Sequence, residues 1–91
     1  MASWPRKDPN EVLDYDIDWT RRLDGDTIDT STFSLTTAAG LSIAAESNTT
    51  THSKVWLSGG NSGETAEVLC RIVTAGGRTM DQSVSLAIAS R

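Results

Sequence analysis

Residues 13–19 read LDYDIDW. Leu13, Tyr15, Ile17 and Trp19 alternate with Asp14, Asp16 and Asp18. A period of two sorts side chains onto the two faces of an extended chain, whereas a helix would scatter both sets around its axis. The stretch therefore predicts a half-buried β-strand with an apolar inner face and an acidic outer one.

The same reading extends outward from it. LDGDT (23–27) has turn chemistry, with Asp-Gly at its centre. TIDTSTFSL (27–35) is threonine-rich and suits a strand, which TTAAG (36–40) ends. LSIAAE (41–46) is a short strand with Leu41 and Ile43 on one side, SNTTTHS (47–53) a polar loop, and KVWLS (54–58) a further strand. GGNSGE (59–64) is the strongest turn signal in the chain. Beyond it Ala66, Val68, Cys70 and Ile72 share a face, and TAGGRT (74–79) is a hairpin turn in which Gly76-Gly77 supplies positive φ. Met80, Gln82, Val84, Leu86 and Ile88 then alternate with Asp81, Ser83, Ser85 and Ala87.

Six to seven short strands without a persuasive amphipathic helix predict an all-β fold, an immunoglobulin-like antiparallel β-sandwich. A small closed barrel is the alternative. The disulfide-and-tryptophan core of antibody domains and the tyrosine corner are both missing, so the likeness is to architecture alone. Strand order within residues 36–58 is left open by the sequence.

Residues 1–11 differ from the rest. They hold both prolines, Pro5 and Pro9, and they mix Trp4 with Arg6, Lys7, Asp8 and Glu11. Each proline pushes its predecessor out of helical geometry. The expectation is an extended N-terminal arm over 1–11, outside a sandwich domain spanning 12–91. Large aromatics and arginine anchor interfaces. Trp4, Pro5, Arg6, Lys7, Asp8 and Pro9 are therefore the candidate partner-binding residues. The competing reading folds Trp4 back onto its own sandwich, or makes it part of a disordered tail.

Bulk properties narrow the function. A chain of 91 residues makes one domain with a modest core. Ordering costs about 1.5 kcal/mol per residue and nearly cancels the gain from burial, so an assembly would add stability. The net charge is -4, and no lysine- or arginine-rich run occurs. A phosphate-binding surface needs clustered positive charge, which argues against nucleic acid. Cys70 is the only cysteine, so no intrachain disulfide forms. No apolar run approaches the ~20 residues of a membrane helix, and MASWPRKDPNE lacks the apolar segment of a secretory signal. The expectation is a product of the cytoplasm with no membrane partner.

The residues that might carry chemistry do not form a constellation. A calcium loop that opens D-x-D-x-D needs glycine at its sixth position and glutamate at its twelfth, but counting from Asp14 those places hold Trp19 and Gly25. On a strand the three aspartates stand about 6.6–6.8 Å apart, too far for neighbours to share an ion. They read as a strand face turned to water or to another protein. His52 stands alone in a polar loop, and Cys70 reads as a small buried hydrophobe. LSGGNSGE lacks the lysine and spacing of a phosphate loop, and G-x-S-x-G does not occur. No catalytic, metal or cofactor-binding residue is predicted, and the chain reads as a non-enzyme. Trp56, with the loops at 47–53 and 59–64, supplies the elements of an alternative, a carbohydrate-binding module.

KDPNEVLDYDIDW (7–19), DGDTI (24–28), VWLSGG (55–60) and TAGGRTMDQSVSL (74–86) resemble a family of small immunoglobulin-like virion proteins of tailed bacteriophages, of the fibre–tail adaptor type. The resemblance spans nearly the whole chain from Lys7. It implies a non-enzymatic structural protein made in the infected bacterial cytoplasm and built into the virion in several copies of a symmetric assembly. It also implies that tail, connector or fibre proteins are its partners. Capsid decoration is the alternative station. The resemblance carries no catalytic residue. Lys7, Asp8 and Pro9 fall within the resembling text and are read as docking the arm.

Overall fold

The computed structural model describes residues 2–90. Seven strands and one helical turn follow in order: β1 (Ala2–Lys7), β2 (Leu13–Asp18), α1 (Thr20–Leu23), β3 (Ile28–Thr37), β4 (Leu41–Asn48), β5 (His52–Gly59), β6 (Thr65–Thr74) and β7 (Thr79–Ile88). They form two sheets, one ordered β1-β7-β6-β3 and the other β2-β5-β4. The fold is an all-β sandwich. Its division into β2-β5-β4 against β3-β6-β7 is compatible with the immunoglobulin-like pattern.

Periodicity places the core. Tyr15, Ile17, Val55 and Leu57 point inward from the smaller sheet, and Val68, Cys70, Ile72, Val84 and Leu86 meet them from the larger one, all buried. Fully burying one such aliphatic side chain contributes roughly 1.5–3 kcal/mol. Trp19, just past β2, is wholly buried where the chain turns into α1. Its indole N–H donates to Ser53 Oγ at 3.0 Å, and Ser31 Oγ lies 2.8 Å from the same hydroxyl. This polar chain links β3 to β5 across the sandwich and satisfies the indole donor, which burial would otherwise leave unpaired.

Two local readings are refined. The region between β2 and β3 contains α1, a single turn that ends at Asp24 with a left-handed backbone, φ 49°. One turn offers too few residues to show helical periodicity in sequence. The segment 47–53, expected to be a polar loop, is mostly strand, because β4 runs to Asn48 and β5 starts at His52. Outward strand positions tolerate serine, threonine and asparagine, so polarity alone did not separate strand from loop.

The N-terminal segment departs from the expectation of an arm outside the core. β1 pairs in parallel with β7, matching Ser3 to Ser85 and Trp4 to Leu86. The sheet gains an edge strand from it, and the strand contributes a wholly buried residue, Lys7. An edge position accommodates Pro5, whose missing N–H would break a central ladder. The ladder is irregular between Trp4 and Lys7, across the proline.

Candidate functional site

The six N-terminal candidates are positioned by β1 and by the tight turn that follows it. Asp8 N–H donates to Glu11 Oε1 at 2.9 Å, Asn10 N–H to Asp8 Oδ1 at 2.8 Å, and Glu11 N–H to the Asp8 carbonyl at 3.0 Å. The chain thus reverses into β2 within a few residues, and β1 lies alongside its own domain.

The six side chains do not share one fate. Trp4 is half-buried, and its indole stacks on Tyr15 with centroids 4.8 Å apart and planes inclined 19°. Its N–H donates to the Asp16 carbonyl at 3.3 Å, while the Tyr15 hydroxyl donates to the Pro5 carbonyl at 3.3 Å. These contacts join the edge of one sheet to the edge of the other. Pro5 and Arg6 are exposed, and Asp8 and Pro9 are half-buried. Lys7 is inside the protein. Its ammonium donates to the carbonyls of Asp8, at 2.9 Å, and Gly59, at 2.6 Å. Burial holds its pKa below the ordinary value, against the opposing pull of Glu11 and Asp8. A shallow groove of about 240 Å³ runs between β1 and β2, lined by Ser3, Trp4, Asp16, Ile17, Asp18, Gln82 and Val84.

The acidic row of β2 lies on the outer face of the smaller sheet. Asp14 is opposite Trp56, Asp16 opposite Lys54, and Asp18 opposite His52. Lys54 Nζ is 3.5 Å from Asp14 and 3.9 Å from Asp16, and His52 Nε2 is 3.6 Å from Asp18. Such exposed pairs contribute about 0–1 kcal/mol each. The Thr20 hydroxyl and N–H both donate to Asp18 and lower its carboxyl pKa, with His52 adding to the effect. Among the described residues no cluster of three or more potential metal ligands converges.

The remaining candidates are separated by the fold. His52 is on the outer face, whereas Cys70 is buried, with its Sγ 3.7 Å from Ser31 Oγ. Burial pushes the Cys70 thiol pKa up, away from a reactive thiolate. Trp56 is 38% exposed in the middle of β5, while the segments 47–53 and 59–64 lie at opposite ends of that strand. These three elements do not converge on one platform.

Two structural pairings were missed in sequence. Arg71 grips Asp81 through both carboxylate oxygens, at 2.8 and 3.0 Å. Reflecting β6 onto β7 about the Gly76-Gly77 turn would have found this pair, since the two residues are cross-strand partners. Asp26 accepts from the N–H of Gly76 at 3.1 Å and lies 3.4 Å from Arg78, whose guanidinium also donates to the Leu23 carbonyl. No local signal pointed to that contact, because it joins turns about fifty positions apart.

Residues 7–87 match the family described as podophage GP4 fiber-tail adaptor protein gp77. No curated protein matches the chain.

Proposed function

Because the chain belongs to the podophage fiber-tail adaptor family, we propose that several copies of it fasten a fibre or tailspike to tail or connector proteins in the virion, without catalysis. The observation that carries this reading is the family match, which covers residues 7–87 and so runs from the end of β1 to within one residue of the end of β7. A two-sheet sandwich with stitched edges holds its outward surfaces at fixed geometry. Several weak attachments made at once raise avidity strongly, and a symmetric ring lets one contact repeat.

The N-terminal strand is the first partner surface in this proposal. Trp4, Pro5, Arg6, Asp8 and Pro9 present exposed or half-buried surface along β1 and its turn. Lys7 acts from within, fixing the strand that carries them.

The test is mass spectrometry of purified virions combined with substitutions. Deleting 1–11 would remove an edge strand and a buried lysine, so point changes are the cleaner probe. Virions carrying the wild-type chain at the copy number of a tail ring, with incorporation lost in Arg6→Glu, are expected. A copy number matching the capsid lattice would assign the chain to decoration instead. Particles that lack the chain yet keep their fibres would overturn the adaptor role.

A further inference from the structure

We propose that the outward face of the β2-β5-β4 sheet, centred on Trp56 and Val12, docks a protein partner that presents an apolar recess rimmed by lysine or arginine. The inference rests on the adaptor reading and adds to it a second surface and the chemistry of what it receives.

Among the described residues, the exposed large hydrophobics are Val12, 55% exposed, and Trp56, 38% exposed. They fall on the same face. Asp14 and Trp56 are cross-strand partners. Leu13 packs against the core, so alternation carries Val12 outward beside Asp14. Continuing the register places Val12 diagonally across from Trp56, where such neighbours stand about 7–8 Å apart. On the other flank Trp56 is opposite Ala45, whose side chain is small.

Charge selects the occupant. Asp14, Asp16 and Asp18 extend from this apolar centre along β2, and the cations opposite them are Lys54 and His52. Even with His52 protonated the strip keeps a net negative charge, in a chain whose own net charge is -4. A basic rim around an apolar recess complements it, and aromatic anchors in desolvated centres carry most of the affinity in such interfaces.

The sheet edges favour docking on a face over strand addition. Pro5 interrupts β1, the Trp4 indole occupies the Asp16 carbonyl of β2, Glu46 accepts the Phe33 N–H of β3 at 3.1 Å, and β4 is irregular between Ile43 and Ala45. Proline, side-chain caps and bulges are the devices that stop one edge from recruiting another.

The experiment uses the full chain and tailed particles purified from an infection in which this chain is absent. Trp56→Ala and Val12→Ser, singly and together, should bind these particles at least about tenfold more weakly, with unfolding midpoints close to wild type. Asp16→Lys should also weaken binding and should flatten its salt dependence, a readout independent of the tryptophan. Wild-type affinity in the double variant, or binding indifferent to both salt and Asp16→Lys, would remove this surface and leave the adaptor reading standing. Self-association of the wild type that Trp56→Ala abolishes would make a second copy the occupant and overturn the proposal. Failure of the wild-type chain to bind the particles would sink the adaptor reading and this inference together.

Discussion

The Lys7 ammonium donates to the Gly59 carbonyl at 2.6 Å, tying the end of β1 to the end of β5 across 52 positions of sequence. A lysine so placed is held by carbonyl oxygens, and its burial opposes its own charge.

Replacing Lys7 therefore tests how firmly β1 is held. Lys7→Met keeps the aliphatic stem but leaves two carbonyls without this donor. It should destabilise the fold by about 1–3 kcal/mol, read from chemical denaturation at neutral pH. The folded-state pKa lies below the ordinary 10.5, so the unfolded chain binds this proton more tightly. Stability from this group then rises with pH from the depressed value up to 10.5 and levels off above it. The wild type's advantage over Lys7→Met should widen as pH climbs toward 10.5, and an unchanging difference would refute the buried ammonium.

Asp26 joins the turn after α1 to the β6–β7 turn. Its carboxyl pKa is lowered by the Thr74 hydroxyl first, then by the Thr27 N–H, and less by the Gly76 N–H and Arg78, against the opposing effect of burial. A lowered carboxyl contributes stability that is present above its ordinary 3.8 and is lost as pH falls through the depressed value. Asp26→Ala should lower the unfolding midpoint at neutral pH and shallow the loss of stability below about pH 4. Circular dichroism across that range checks both effects.

Ser53 holds the buried Trp19 indole and faces Ser31. Ser53→Ala removes the acceptor for a buried N–H and should cost about 1–3 kcal/mol. Cys70 is a built-in reporter, being buried with a raised thiol pKa. Thiol reagents should label it only through opening of the sandwich, and labelling should accelerate in Ser53→Ala. Rapid labelling of the folded wild type would contradict this packing.

Trp4 stacks on Tyr15, and that contact has a measurable worth. Trp4→Ala should lose about 0.5–1.5 kcal/mol beyond the area it uncovers. Trp4→Phe should recover most of the stacking while losing the hydrogen bond to Asp16. A double-mutant cycle with Tyr15→Ala isolates the pair term.

LDYDIDW carried both the strand and its two faces, because period two is a local property of a half-buried strand: Tyr15 and Ile17 are buried, and Asp14, Asp16 and Asp18 are outward and exposed. Although only Gly77 takes a positive φ, 88°, and Gly76 does not, the turn after β6 was legible from its local Gly76-Gly77 pair too. What β1 does was not. A proline-bearing segment with a tryptophan and cations looks the same in sequence whether it hangs free or lies along an edge. Only the tertiary structure, by bringing the end of β7 and the Gly59 carbonyl within reach, decided that Lys7 is buried and that Trp4 stacks on Tyr15. It likewise brought Asp26 to Arg78 and placed Val12 and Trp56 on one face. Such pairings follow from strand order and register, and those depend on which distant surfaces bury each other best.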